Sequence, residues 1–194
     1  EMLVKRGQKF EEAKDEAAFY GPKIDVQMKN ANGKEDTAFT VQYDFCMPDR
    51  FDLTYTGADG DKHRAFVVHR SSVGAIGRIM AFLIEKYAGA FPTWLSPEQV
   101  RVLPVSEKHV EFAASVKSQL MEAGIRASLD DSNDTLGKRV RNAKVEKVPY
   151  MLVIGDAEMG TNSVAVESRD KGKIGVQQVA EFINNLAAEI KSRA

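Results

Sequence analysis

Cysteine is nearly absent from this 194-residue chain: Cys46 stands alone, which excludes an internal disulfide framework and a cysteine-rich zinc site and fits a reducing compartment. An excess of either charge is missing too. Twenty-seven basic residues against 28 acidic ones leave a net charge of −1, so a broadly basic nucleic-acid coat is excluded, whereas a local basic patch is not. Apolar runs stay far below the roughly 20 residues that span a bilayer, and no signal-like start is visible. Internal repeats and low-complexity tracts are lacking as well. The expectation is a cytoplasmic protein with no membrane contact, and 43% hydrophobic residues suffice for one large or two small cores. The start at Glu1 rather than methionine suggests a piece of something longer.

Among the residues that are present, the stretch from Ala65 to Ile84 carries most information. Ala65, Phe66, Val67 and Val68 form an apolar run suited to a strand, which stops at His69-Arg70. The period then changes. Val73, Ile76, Ile79, Met80 and Ile84 recur at helical spacing, with Ser71 or Ser72 available as N-cap. Gly74 and Gly77 in the first two turns each cost about 0.5–1 kcal/mol relative to alanine, which predicts close packing there. Arg78, four residues after Gly74, puts a flat cation beside that patch. The segment suits a nucleotide or a metal, but close helix-to-sheet packing and a solvated arginine explain the spacing equally.

The pattern predicts two domains, 1–97 and 98–194, meeting where glycine and two prolines interrupt regular structure at 89–97. Strands are expected over 22–30 and 38–45, with Lys23, Asp25 and Gln27 sharing one polar face and Thr40, Gln42 and Asp44 another. A third strand near 51–55 should turn through 57–61 into one ending at His69, making an antiparallel sheet followed by a long helix. In the second half, strands near 100–105, 125–129, 150–154 and 163–167 alternate with helices near 106–123, 136–147 and 176–193, which argues for an α/β domain with a mainly parallel sheet. The helix at 136–147 concentrates Lys138, Arg139, Arg141, Lys144 and Lys147. Either these position nucleic-acid phosphates or they form a solvated face.

Several stretches taken together resemble the threonyl-tRNA synthetases, a family of class II aminoacyl-tRNA synthetases. They are Ala18-Phe19-Tyr20-Gly21-Pro22-Lys23-Ile24-Asp25, Thr40-Val41-Gln42-Tyr43-Asp44-Phe45, His69-Arg70 leading to Gly74 and Arg78, and Phe91-Pro92-Thr93-Trp94-Leu95. The second half adds Val105-Ser106-Glu107-Lys108-His109, Ala123-Gly124-Ile125-Arg126, Leu136-Gly137 and Val148-Pro149-Tyr150-Met151-Leu152-Val153-Ile154-Gly155-Asp156. The resemblance implies the C-terminal part of a class II antiparallel-sheet catalytic domain including its third motif, followed by an α/β anticodon-binding domain with a mainly parallel five-stranded sheet.

It further implies a threonine-tRNA ligase, which uses ATP and Mg to attach threonine to its tRNA through a threonyl adenylate, the chain alone being inactive. By resemblance Arg78 holds ATP and, with Lys23, is catalytic, since a planar guanidinium can stack on adenine and neutralise phosphate. Tyr20, Thr40 and Gln42 would bind substrate, His69 would be one of three Zn ligands, and Asn133, Arg141 and Glu158 would bind the anticodon. The implied partners are threonine tRNA, threonine and ATP, with the parent enzyme a homodimer. The chain departs from the family pattern at Thr37, Phe39, Ala75, Gly77 and Glu167. Those departures favour an alternative, a diverged or truncated relative that binds tRNA or a protein partner without catalysis.

Overall fold

The computed structural model describes residues 2–193. They fall into two compact units, Glu1–Phe82 and Leu83–Ala194, so the division lies within a helix, ahead of the Pro/Gly-rich stretch at 89–97.

In the first unit, helix α1 (Met2–Lys5) precedes strands β1 (Lys23–Lys29) and β2 (Glu35–Asp44), short helix α2 (Cys46–Arg50), and strands β3 (Thr54–Thr56), β4 (Lys62–Arg64) and β5 (Val67–Arg70). Helix α3 (Ile76–Tyr87) follows. β1, β2 and β5 form an antiparallel sheet with β2 in the centre, while β3 and β4 pair separately as a hairpin. The expected continuous strand ending at His69 is therefore broken at Ala65-Phe66: β4 belongs to the hairpin and β5 to the sheet. A bulge interrupts β2, where Val26 faces Phe39 and Gln27 faces Thr37, leaving Ala38 over.

The helix expected from Ser71 begins only at Ile76. Ser71 Oγ instead accepts the Gly74 N–H at 2.8 Å in the preceding loop. Gly74 has a φ of +64°, and a Cβ there would collide with the carbonyl oxygen of Ala38 at the bulge. Its packing role is thus real but lies outside the helix. Gly77, in the first turn, faces open space, so the packing expected of it is not found.

The second unit is an α/β/α sandwich built on β6 (Val100–Pro104), α4 (Val110–Glu122), β7 (Ala127–Leu129), α5 (Leu136–Val145), β8 (Tyr150–Ile154), α6 (Asp156–Thr161), β9 (Ser163–Ser168), β10 (Gly172–Gln178) and α7 (Val179–Ser192). Its five strands run in the order β10-β9-β8-β6-β7. β7, β6 and β8 are parallel, but β8–β9 and β9–β10 are antiparallel, so the sheet is mixed and not mainly parallel. β9 is the reason: it runs antiparallel to both its neighbours, and the chain then returns along it as edge strand β10, where the sequence pattern predicts the last helix from about 176.

Period-two alternation divides the core. Val100, Val102, Tyr150, Leu152, Ile154, Val164 and Val166 face Ala113, Val116 and Leu120 of α4 and Val179, Phe182 and Leu186 of α7. Leu103 and Met151 point the other way, toward Ala143 of α5 and Val148, with Leu136 and Val140 packed alongside. Burial on both faces explains why β8 reads as a continuous apolar run, whereas Arg101 interrupts β6.

Candidate functional site

The polar face of the first sheet gathers most of the residues singled out there. Across the three strands Lys23 faces Gln42, and Gln42 faces His69, while Asp25 faces Thr40. Tyr20 donates its hydroxyl to Gln42 Oε1 at 2.8 Å. Thr40 Oγ1 donates to Asp25 Oδ1 at 2.7 Å, and the other Asp25 oxygen takes the Lys23 ammonium at 2.7 Å. That contact raises the Lys23 pKa above its ordinary value. Burial pushes the Asp25 carboxyl up, but Lys23 and Thr40 outweigh it and hold it low. Lys23 is thus a fixed cation, suited to attracting negative charge and unsuited to delivering a proton at neutral pH.

His69 Nε2 lies 2.9 Å from Asp44 Oδ2, and the Asp44 side chain is only 4% exposed. The second Asp44 oxygen accepts the backbone N–H groups of Cys46 and Met47, both at 2.9 Å, which anchors the start of α2. The Met47 N–H does most to hold the carboxyl below its ordinary pKa, against the opposing effect of burial, with His69 and Cys46 adding to it. Sequence reasoning does not single out this second role of Asp44, although a short-range Asp-Phe-Cys pattern suits an Asx turn. Phe19, Tyr20, Gln42, Asp44 and His69 line a cavity of about 400 Å³.

Arg78 sits apart from that row: its Nη1 donates to the Thr37 carbonyl at 2.6 Å, beside the bulge. Phe39 lies opposite Val26 on the face away from Thr40 and Gln42, so its ring leaves the polar row open. His69 is the single expected zinc ligand in this row: its Nε2 faces Asp44, and no group of three or more potential ligands gathers among the described residues.

In the second unit, the connection after β6 runs to α4 on one face of the sheet and that after the neighbouring β7 runs to α5 on the other, so the chain leaves these adjacent carboxyl ends in opposite directions. Such a switch point opens a crevice at the strand ends. A cavity of about 480 Å³ occupies this place, lined by Ser106 and Glu107 after β6, by Asp131, Asn133 and Asp134 after β7, and by Arg139 of α5. Asn133 is exposed at the cavity wall. Glu158 is on α6, after the neighbouring β8, and its carboxylate accepts the Gly155 N–H at 3.0 Å as the cap of that short helix. Arg141 is exposed on α5, and its side chain makes no ion pair or hydrogen bond with another described residue.

The rest of the basic helix is tied internally. Lys138 pairs with Asp134 at 2.8 Å, Lys144 with Glu167 at 2.6 Å, and Lys147 donates to the Ala88 carbonyl. Arg139 is buried. The phosphate-facing and solvated readings of that helix therefore both narrow to Arg141. The partner of Glu167 also shows that its carboxylate is neutralised locally. A further bridge links the loops after β6 and β8: His109 Nδ1 accepts the Ser106 N–H at 3.1 Å, and Nε2 lies 3.1 Å from Asp156. Lys108 first, then His109, holds the Asp156 carboxyl below its ordinary pKa.

Residues 99–189 match the family model described as an anticodon binding domain. The chain is 46% identical to a threonine–tRNA ligase of Clostridium perfringens over 184 residues, 95% of this chain and 29% of the relative. It is 50% identical to one of Halalkalibacterium halodurans over 93% of this chain and 28% of the relative. A crystal structure titled as the RNA binding domain of threonyl-tRNA synthetase from Cryptosporidium parvum Iowa II is similar with a TM-score of 0.86 and 34% identity, covering 96% of this chain and 48% of that one. The chain spans less than a third of the length of these curated relatives.

Proposed function

We propose that the chain, whose residues 99–189 match the anticodon binding domain model, recognises a transfer RNA through its second unit. Its homology to threonyl-tRNA synthetases along nearly the whole length supports this reading. The observation that carries it is the coincidence of the matched segment with a polar crevice at the carboxyl end of β6. Asn133 would meet the anticodon there, Glu158 would approach it from the neighbouring loop, and Arg141 would hold a backbone phosphate. Such a phosphate contact adds affinity without sequence preference, whereas the cavity wall supplies selection.

For the first unit we propose a share in a larger active site. Tyr20, Lys23, Thr40 and Gln42 would line the place of threonine and its adenylate, with Arg78 at ATP. The permanent charge of Lys23 suits a carboxylate or phosphate there. ATP, Mg and aminoacylation belong, on this reading, to the longer cytoplasmic, dimeric enzyme, and the chain alone binds without catalysing. Zinc would need two donors from outside the chain beside His69.

The test is binding of threonine tRNA to the 194-residue chain at fixed salt, beside transcripts with altered anticodons. The cognate transcript should bind at least about tenfold more tightly than one with a changed anticodon base. Arg141→Ala should weaken all transcripts alike and reduce the salt slope by about one. Equal binding of cognate and altered transcripts would remove the reading.

A further inference from the structure

His109 is only 1% exposed, and both of its ring nitrogens are engaged. Nδ1 accepts the Ser106 N–H at 3.1 Å, so the ring hydrogen sits on Nε2, which donates to Asp156 Oδ1 at 3.1 Å. The first bond caps the turn that opens α4, and a glutamine three residues after Ser106 would complete that cap as well. The second bond is not needed for capping. It reaches across 47 residues of chain to the first residue of α6.

That helix carries Glu158. No residue of α6 is buried, so apolar packing does little to set its position and polar bonds must do so. The Glu158 carboxylate accepts the Gly155 N–H at 3.0 Å, and Gly155 lies between Glu158 and Val105. A Cβ added there would stand 3.2 Å from Glu158 Oε2 and 3.5 Å from the Val105 side chain. Val105 and Ser106 both line the cavity of about 480 Å³. Glu158 is therefore at the rim of the crevice, and its place there depends on how α6 is set against the loop after β6.

We propose that His109 is a positioning residue for anticodon reading: through Asp156 it holds α6, and with it the Glu158 carboxylate, against the loop after β6. The proposal rests on the anticodon reading above and adds to it the bond that sets one of its acceptors. Lys108 also meets Asp156, at 2.6 Å, but those two side chains are 60% and 70% exposed, and such a pair between mobile groups fixes little. The enclosed imidazole joins the two loops directly. An acceptor set in advance meets a base N–H without being ordered on binding.

Variants that separate the two bonds test it. In His109→Asn, Oδ1 takes the place of Nδ1 and keeps the Ser106 cap, while nothing stands at the Nε2 position to reach Asp156. Asp156→Ala removes the same bond from its exposed end. Against transcripts altered at one anticodon base at a time, each should lose about tenfold discrimination at the one position where Glu158→Ala loses it, and keep it at the other two. The double variant should lose no more than either single one. Lys108→Ala, which leaves the His109 bond in place, should keep discrimination at all three. A role confined to capping would weaken every transcript alike in His109→Asn and leave Asp156→Ala unaffected, and that result overturns the proposal, as do additive losses or a loss in Lys108→Ala equal to that in Asp156→Ala. Where His109→Asn does not fold, the comparison of Asp156→Ala with Lys108→Ala decides alone. Loss of discrimination in Glu158→Ala beside full discrimination in Asp156→Ala overturns the proposal and leaves anticodon reading standing, whereas failure of the unaltered chain to distinguish anticodons removes both.

Discussion

Both units alternate apolar and polar residues along their strands, yet they bury them very differently. In the second, Val100, Val102, Leu103, Leu120, Leu152, Ile154 and Val164 are fully enclosed. In the first, Ile24 is 50% exposed, Tyr43 49%, Val68 50% and Phe66 72%, and the described buried apolar residues are Ala38, Pro48 and Phe82 alone. The second unit therefore holds its loops on a packed scaffold, at about 1.5–3 kcal/mol for each enclosed large aliphatic side chain. The first presents an ordered polar row on a sheet whose other face is open. Alternation specifies which face of a strand is apolar, but it does not specify what covers that face.

The largest effect should separate the units directly. Leu152→Ala, at a position with no exposure, should destabilise the second unit by about 2–5 kcal/mol in denaturant unfolding. Val68→Ala, half exposed, should stay within about 0.5 kcal/mol. Comparable losses at both positions would break the contrast.

A smaller effect sharpens it within the first unit. Gly74→Ala forces a side chain at φ +64° into the Ala38 carbonyl and should cost more than about 1 kcal/mol. Gly77→Ala meets open space in a helical turn and should gain about 0.5–1 kcal/mol. Thermal melting of the two variants should therefore move in opposite directions, and parallel shifts would mean that the bulge does not fix the start of α3.

Legibility follows the same physics. β8 can be read because burial on both faces leaves an uninterrupted apolar run, β6 because its valines alternate around Arg101, and the polar row Lys23, Thr40, Gln42 can be read from period two. β10 cannot: Gly172 and Gly175 weaken the strand pattern, and Val176 falls in step with the stripe of α7. The break at Ala65-Phe66 is equally silent, because an apolar pair continues a strand as readily as it ends one. Arg139 reads as one of a run of basic neighbours, although it lies three residues after Leu136 and four before Ala143, on the inward face of α5. That spacing is the available signal. The bonds it makes to the Asp130 and Pro104 carbonyls have none, since they depend on where the chain places those two groups.

The smallest effect is confined to acid. Asp44 has a depressed pKa in the folded chain, so its contribution is fully present above the ordinary carboxylate value of about 3.9 and is lost as pH falls through the lower folded value. Asp44→Asn should remove that acid-dependent part of the first unit's unfolding while leaving the second unit's acid response unchanged, as followed by the amide signals of β2 and β8. Loss of the second unit's signals in the variant would show that the units are not separable in this way.

Amide hydrogen exchange of the whole chain, with and without threonine tRNA, tests most directly whether the packed second unit is the one that reads the nucleic acid. Exchange should be slowest in β6 and β8 and faster throughout β1, β2 and β5, with added protection on binding across 130–139 and 155–158. Added protection that appeared in the first unit, with 130–139 unchanged, would contradict that claim.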